Sequence, residues 1–543
     1  MNKIEYSKMR FLIVENIVQS RDALKLFAYT LGALRVDTSN HASDVLTLCE
    51  SIQFDVILLG YDLGEDKKNG QHILEELRSK KLISRHCTII MITAEVSQAM
   101  VLAALEHKPD EYLAKPYTLN DLCIRLERCF AKKTAMLDIY NAMDNEDSQE
   151  VISLCQNIIK VNSIYKNECL GIQSRQYFVL EKFDKAREIY DAYACSPNCQ
   201  WAAIGLGKIA LVEHNYDLAI DCFNAVIEYN PLYLTAYDWL ANSYQLNKQP
   251  LLAEDILERA LVISPLSVTR LEKYADLCLT NENFDKATLA FAKTTALAFH
   301  SVHKKPDNTL HFVEALLESM ADLEPQKSRR LSNKAFKLLT DMVRDFNSIE
   351  IKIHSKLLAA RLHDKIKDPR LAKETLKEAE LLLRNCKHEI SPVGTIAIAK
   401  SLIALGKKSY ANNLLTELAH VNPDNSSILL QISEITDKPN SDQYRAAAQN
   451  ALELGVNLYK KQQYSLAIDK LNKALVHFPN HTGIKLNLLQ VLLVSFEKDN
   501  QRVGDLVQAE VLIKALTLIE STSEFYTRFK KLNDKYSDMM KIS

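Results

Sequence analysis

Residues 54–64, with the sequence FDVILLGYDLG, decide how the N-terminal part of the chain folds. Asp55 to Leu59 is predicted to be a strand whose apolar run stops at Gly60 and gives way to turn-forming residues. An uninterrupted apolar run of this length is typical of a strand buried on both faces, as in a parallel sheet. Gly60 therefore stands at the carboxyl end of a predicted central strand.

Three further segments have the same character, namely Phe11–Val14, Thr88–Thr93 and Glu111–Pro116. Helical patterns lie between the strands at about 22–31, 41–52, 69–80, 97–107 and 118–132. This alternation predicts a doubly wound α/β domain. In such domains the functional groups lie beyond the carboxyl ends of the strands. The residues at those ends are Glu15, Asn16, Gly60, Thr93 and Lys115.

The order of these elements closely resembles the receiver domain of bacterial response regulators, over roughly residues 8–133. In that family an acidic pair after the first strand and an acceptor aspartate after the third hold Mg²⁺. A Thr or Ser and a Lys contact the phosphoryl group, and an aromatic residue three positions before the Lys reports the switch state. In this sequence those positions carry Glu15 with Asn16, Gly60, Thr93, Lys115 and Tyr112.

Two positions depart from the family pattern, and both departures remove a carboxylate from one pocket. Mg²⁺ prefers carboxylate oxygens in octahedral geometry, and Asn16 and Gly60 leave only Glu15 of the expected three. Gly60 also offers no oxygen to phosphorylate. We therefore expect a degenerate phosphoacceptor pocket without a cofactor, with weak or absent Mg²⁺ binding. Glu15 and Asp62 are the residual weak metal candidates.

Asp62 is the alternative acceptor, because it lies two residues beyond Gly60. Phosphoryl transfer needs in-line placement of the nucleophile, and this argues against a displaced carboxylate. Lys115 is expected to pair with Glu15 across the vacated pocket. Pro116 is expected to follow a cis peptide bond, as it does in receivers.

Length and composition indicate what the rest of the chain contains. At 543 residues the chain is too long for a single core, and its 12 glycines and 13 prolines indicate helix without flexible linkers. The net charge of −2 comes from interspersed acids and bases, so neither nucleic acid nor anionic lipid is an expected partner. The expected partner is a protein.

Export and membrane signals are not found in the sequence. The N-terminal apolar run is too short for a signal peptide, and no stretch reaches the length of a membrane span. The 11 scattered cysteines fit reduced thiols in a cytoplasmic protein. Cys195 and Cys199 form a close pair, but no ligand group follows them at zinc spacing, so no metal site is expected there.

From residue 136 onward the strand pattern gives way to a repeat. Ala219, Ala253 and Ala287 recur every 34 residues, and each is followed four residues later by a large apolar group. Those groups are Phe223, Leu257 and Phe291. This period and spacing resemble tetratricopeptide repeats and predict an all-α solenoid over residues 136–543. Polar segments at 300–308 and 436–442 are the two places where the array would divide.

A solenoid of helical hairpins implies protein binding, because stacked hairpins form an extended concave face. The sequence lacks the phosphate-loop, nucleophile-elbow, zinc-protease and kinase motifs, so a non-enzymatic protein is expected. The leading hypothesis is a signalling adaptor of bacterial two-component type. In it an unphosphorylated pseudo-receiver is joined to an array that binds a partner protein.

The resemblance also implies a contact face on the receiver, formed by its fourth and fifth helices and fifth strand. Here that face is about Ser97–His107, Glu111–Lys115 and Leu119–Phe130, and it would dock a partner or a second copy of the chain. One alternative hypothesis is a response regulator phosphorylated at Asp62. A second is a regulator that binds nucleic acid through the helical array.

Overall fold

The protein is described by a computed structural model. It covers residues 4–64, 68–94, 97, 100, 102, 106, 109–196, 198–320, 324–386, 389–422, 425–436, 442–477, 481–498, 503–517 and 525–540. Two compact units make up the chain, Met1–Leu331 and Ser332–Ser543. Within the described ranges, none of the helices combines the length and apolarity needed to cross a bilayer.

A five-stranded parallel sheet forms the centre of the N-terminal domain. Its strands are β1 (Arg10–Val14), β2 (Arg35–Ser39), β3 (Val56–Gly60), β4 (Thr88–Thr93) and β5 (Glu111–Ala114). They pair in the order β2-β1-β3-β4-β5, with Val14 opposite Leu59 and Gly60 opposite Ile92. The register brings the ends of β1, β3 and β4 to one edge of the sheet. The predicted doubly wound fold is confirmed.

Helices cover both faces of this sheet, and they are α1 (Val18–Thr30), α2 (Ala42–Ser51), α3 (Gly70–Ser79) and α4 (Leu119–Ala135). Alternate strand residues feed two separate cores: Leu12 and Leu59 pack with α2 and α3, whereas Ile13 and Leu58 pack with α1 and α4. This alternation explains why the central strands are apolar throughout. The helix predicted at 97–107 lies mostly outside the described residues.

Strand β2 is the element that the sequence did not reveal. Its sequence, RVDTS, has no apolar run, and its side chains are mostly exposed or half-buried. The reason is its position, because β2 pairs only with β1 and forms an edge of the sheet. An edge strand needs little apolar surface, so the pattern that identifies central strands is absent from it.

The rest of the first unit is helical. Its helices are α5 (Leu137–Asp144), α6 (Ser148–Lys160), α7 (Lys166–Val179), α8 (Phe183–Tyr193), α9 (Gln200–Val212), α10 (Tyr216–Tyr229), α11 (Leu234–Leu246), α12 (Pro250–Ile263), α13 (Val268–Thr280), α14 (Phe284–Ala298) and α15 (Pro306–Ser319). Consecutive helices pack as hairpins. The repeated alanines Ala219, Ala253 and Ala287 are fully buried, as expected where two helices cross closely.

The turn inside each hairpin has a recurring geometry. Its central residue adopts a left-handed φ near +60°, at Glu146, Glu181, His214, Lys248 and Glu282. In the Lys248 turn, the Lys248 amide donates to the Gln245 carbonyl, and the next amide donates to the Tyr244 carbonyl at 2.8 Å. This bonding satisfies the last carbonyls of the first helix. These five positions are not glycine, so the sequence carried no signal for the motif.

The second unit is also helical, and α16 (Pro325–Phe346) spans the boundary into it. The helices that follow are α17 (Ile349–Lys365), α18 (Pro369–Asn385), α19 (Pro392–Ala404), α20 (Lys408–Val421), α21 (Ser426–Ile435), α22 (Asp442–Lys460), α23 (Tyr464–His477), α24 (Thr482–Lys498), α25 (Val503–Leu516) and α26 (Tyr526–Met540). The predicted break at 300–308 is a short connection between α14 and α15 inside the first unit. Most of the other, 437–441, lies outside the described residues.

Candidate functional site

The predicted pocket lies at the carboxyl edge of the sheet, and a buried ion pair occupies it. The Glu15 side chain, which follows β1, is 1% exposed, and the Lys115 Nζ that follows β5 lies 2.8 Å from its Oε2. The expected pairing of Lys115 with Glu15 is therefore confirmed. The Lys115–Pro116 peptide bond is cis, also as expected.

Glu15 is held by further contacts from its own loop, from the end of β2 and from α1. The Ile17 amide donates to Oε1 at 3.2 Å, and the Glu15 amide donates to the Ser39 carbonyl at 3.1 Å. The Arg21 guanidinium donates to the Glu15 carbonyl at 2.7 Å. A lysine ammonium thus lies directly against the Glu15 carboxylate and neutralises its charge.

Gly60 at the end of β3 faces this carboxylate. A Cβ at position 60 would lie 2.9 Å from the Val14 carbonyl oxygen and 3.3 Å from Glu15 Oε2. The first distance is shorter than side chains normally allow, so a larger residue requires the strand ends to shift. Gly60 does not have a left-handed φ. Glycine is therefore favoured at this position by the lack of space for a side chain and not by the backbone conformation.

Two polar atoms near the pocket are buried, and within the described part of the chain they have no hydrogen-bond partner. They are Asn16 Oδ1 and the Tyr112 hydroxyl. Burial raises the pKa of Tyr112 well above its ordinary value, because the phenolate would lose its solvation. Tyr112 is therefore a neutral, inward-placed phenol at physiological pH.

Thr93 and Asp62 complete the predicted set, and they differ in placement. Thr93 is half-buried at the end of β4, and its carbonyl accepts the Lys115 amide at 2.8 Å. Asp62 is exposed, and its Oδ1 accepts the Gly64 amide at 2.9 Å in a local turn. Across the described residues, His, Cys, Asp and Glu side chains form no cluster of three or more suited to a metal.

A second site, which the sequence did not reveal, joins the receiver-like domain to the helical array. Arg270 on α13 has a side chain that is 4% exposed, and it forms two 2.9 Å bonds with the Asp238 carboxylate. Its remaining Nη1 donates to Glu106 Oε1 at 2.8 Å, and the Ser264 hydroxyl donates to the same oxygen at 3.4 Å. Glu106 lies 164 positions earlier in the sequence.

Glu75 on α3 makes a parallel contact with the loop after α14. His303 Nε2 lies 2.8 Å from Glu75 Oε1, and the Ser301 hydroxyl donates to Oε2 at 2.8 Å. Hydrogen bonding to Glu75 raises the pKa of His303. A cavity of about 250 Å³ lies between the two contacts, with His72 and His300 in its lining. Because these residues are distant in sequence and carry no motif, this interface could not be predicted from the sequence.

The same domain also contacts the first hairpins of the array. Arg85 Nε lies 2.5 Å from Asp144 Oδ1 on α5, and Lys132 Nζ lies 3.0 Å from Glu168 Oε1 on α7. The domain is therefore attached to the array at two places within the first unit. One is next to the covalent junction, and the other is at residues 264–303.

Comparison with known proteins identifies the N-terminal domain. Residues 11–127 match the response regulator receiver domain. Chemotaxis protein CheY-3 of Vibrio cholerae is 23% identical over 132 residues, which cover 24% of this chain and 99% of CheY-3. A CheY-like receiver structure from Methanospirillum hungatei is 22% identical, with a TM-score of 0.21, over 23% of this chain and 96% of its own.

A repeat protein is also among the solved structures that resemble part of this chain. The C-terminal part of a TPR repeat-containing protein from Cytophaga hutchinsonii is 16% identical, with a TM-score of 0.34. It covers 45% of this chain and 93% of its own. The N-terminal domain is thus a CheY-like receiver, the kind of domain used in two-component signalling, and an all-helical region follows it.

Proposed function

We propose that the protein is a non-enzymatic signalling adaptor whose receiver is not phosphorylated and whose helical array binds a partner protein. The observation that carries this proposal is the Glu15–Lys115 ion pair beside Gly60. A working receiver needs an acceptor carboxylate and a divalent cation at this point. Here the acceptor position has no side chain, and a lysine ammonium neutralises the remaining acid.

Asp62 does not replace the missing acceptor. Its carboxylate is exposed and already accepts the Gly64 amide, whereas the Thr93 and Lys115 positions lie at the strand ends. An acceptor must be in line with the phosphodonor and next to the groups that stabilise the transferred phosphoryl. The proposal therefore favours an input through protein contact over an input through phosphate.

The array supplies the surface for a partner. Stacked hairpins present their first helices side by side, and on α11 the half-buried Trp239 has the Lys208 ammonium 4.4 Å from its ring centroid. Aromatic and cationic side chains on an extended helical surface suit recognition of a peptide or helix. We place this adaptor in the cytoplasm, with the receiver face around β5 and α4 as a second contact for a partner or another copy of the chain.

A phosphorylation assay tests the proposal. The full chain is incubated with Mg²⁺ and acetyl phosphate, and its intact mass is measured, with Asp62→Ala treated in parallel. We expect no phosphoryl adduct on the wild-type chain. An adduct that disappears in Asp62→Ala would instead establish a phosphorylated response regulator.

A gain-of-function variant serves as the matched control. Gly60→Asp combined with Asn16→Asp restores both missing carboxylates if the strand end at Val14 shifts to admit the new Cβ, so it tests whether the scaffold and the assay are competent. We expect this double variant to acquire an adduct, while Gly60→Asp alone gains little because Asn16 still weakens the metal site. An adduct of equal yield on the wild-type chain would contradict the proposal.

A further inference from the structure

Two receiver carboxylates, Glu75 and Glu106, hold the receiver against the array. Each meets a cationic or cation-forming side chain together with a hydroxyl: Glu106 meets Arg270 and Ser264, and Glu75 meets His303 and Ser301. Bonds to charged groups are the stronger class of protein hydrogen bonds. These contacts connect the receiver to array residues 264–303.

The array side of this interface contains a carboxylate partner of its own for Arg270. Arg270 forms a two-pronged bond with Asp238, on the neighbouring hairpin, in addition to its bond with Glu106. A buried arginine that retains one carboxylate remains compensated when the second leaves. Release of the receiver would therefore leave Arg270 with one paired carboxylate.

We propose that Glu75, Glu106, Arg270, Ser301 and His303 form an ionic latch that opens and closes, and that the surface beneath it binds an acidic segment of a partner. The receiver itself shows the chemistry that this surface accepts, namely two carboxylates. An external segment that presents carboxylates competes with Glu75 and Glu106 for the same array groups. The receiver then acts as a built-in occupant of the site that the partner takes.

The chain provides a close control for the latch. Glu75 and Glu76 are neighbours on α3, and both side chains are 10% exposed. Glu75 bonds to the array, whereas Glu76 pairs with Lys68 and Lys80 of the receiver. Glu111 likewise pairs with Arg128 inside the receiver. The double variant Glu76→Gln/Glu111→Gln thus removes the same charge as Glu75→Gln/Glu106→Gln but leaves the latch intact.

Hydrogen exchange on the full chain tests the latch. In Glu75→Gln/Glu106→Gln we expect exchange to rise by about tenfold or more in peptides covering 264–271 and 299–304, since each lost bond involved a charged group. The control variant is expected to leave these peptides unchanged. Exchange equal to wild type in the latch variant would overturn the proposal, as would a rise spread over the whole chain. Ser301→Ala removes a hydroxyl that donates to Glu75 and also accepts the His303 amide, and it is expected to raise exchange only at 299–304.

Binding of hexaglutamate tests the acidic-partner part of the inference. A fluorescent hexaglutamate peptide is titrated with the full chain, and its anisotropy is measured. We expect about tenfold tighter binding to the latch variant than to wild type or to the charge-matched control, because the array groups are freed. Equal affinity for the latch variant and the control would show that the surface does not select carboxylates.

This inference rests on the proposed function only in treating the array as the partner-binding region. The two fail separately, because the intact-mass assay reports on the pocket at Glu15 and hydrogen exchange reports on residues 264–304. Phosphorylation at Asp62 would contradict the proposed function but not the latch. A latch that does not open would not contradict the proposal that the receiver is unphosphorylated.

Discussion

At the scale of single residues, the Glu15–Lys115 pair is a buried ion pair at the carboxyl ends of β1 and β5. Glu15 is almost fully buried, and Lys115 is 24% exposed, so the carboxylate depends on the lysine for compensation. Removing one partner of a buried pair leaves an uncompensated charge and is strongly destabilising. Replacing both partners with neutral groups costs much less. A large loss of stability on removal of one partner, with a small loss on removal of both, identifies an ion pair that contributes to the structure. A small loss in both cases identifies a pair that does not.

We therefore predict that Lys115→Met lowers the free energy of unfolding of the receiver by about 3 kcal/mol. The double variant Glu15→Gln/Lys115→Met is expected to recover most of this loss, because the buried charge is gone. Hydrogen exchange of β1 and β3 peptides under increasing urea measures the receiver separately from the array. Equal destabilisation by the single and double variants would show that packing of the lysine stem, and not charge, is responsible.

The pocket was largely predictable from its residues. Once the chain is aligned with the receiver pattern, the strand ends, the missing carboxylates and the pairing of Lys115 with Glu15 can all be predicted from sequence position. The crowding at Gly60 was not predictable. It arises from the Val14 carbonyl across the β1–β3 pairing, at a distance that no local pattern encodes. The exposure of Asp62 also depends on the loop conformation, which a short polar segment does not specify.

At the scale of elements, the hairpin turns carry a strain that recurs along the array. Lys248 and its equivalents hold a left-handed φ, which costs an ordinary L-residue about 1 kcal/mol relative to glycine. The hydrogen bonds that end the first helix require this conformation. The array therefore uses an unfavourable backbone conformation at residues where glycine would be better suited.

We predict that Lys248→Gly stabilises the array by about 0.5–1 kcal/mol, because it relieves the left-handed φ at little other cost. The neighbouring Asn247 supplies the control. Its φ is −80°, so Asn247→Gly relieves no strain and is expected to be neutral or destabilising. The melting temperatures of the two variants and of the wild-type protein, measured by thermal unfolding, test this prediction. A lower melting temperature for Lys248→Gly would mean that the lysine side chain makes a compensating contact.

Prediction of the elements succeeded where a strand or helix buries a continuous or periodic apolar face. It failed at β2, whose edge position removes that requirement, and at the turn residues, whose conformation is imposed by the hairpin and not by their identity. The contacts of Arg270 could not be predicted from the sequence for a different reason. A buried arginine on a helix shows no partner until distant hairpins are brought together.

At the scale of the whole first unit, one half of the latch depends on the charge of a histidine. Glu75 faces His303 from α3, Glu272 faces it from α13, and Lys305 lies in its own loop, with His300 nearby in the same cavity lining. Hydrogen bonding to Glu75 raises the pKa of His303 when the receiver is docked. The protonated form therefore favours docking.

The sign of the pH dependence follows from this shift. The contribution of His303 is fully present below its ordinary pKa of about 6.5 and is lost as pH rises through the raised value of the docked state. We predict less protection from exchange in the 299–304 peptide at about pH 8.5 than at about pH 6, after correction for intrinsic rates. His303→Gln should abolish this difference. A pH dependence that survives in His303→Gln would assign it to another group.

The separation of the latch partners along the chain has a consequence for synthesis. Glu106 leaves the ribosome 164 residues before Arg270, which at ordinary elongation rates is about 8–30 s. Strand pairing in the receiver involves only residues 10–114, so this domain can form while its docking surface does not yet exist. For that interval the two carboxylates are exposed to the surroundings of the nascent chain, and a chaperone or a ligand with basic groups would meet them first. The receiver can dock onto residues 264–303 only after α13 and the loop before α15 have left the ribosome. Docking is therefore a late step in the maturation of the chain.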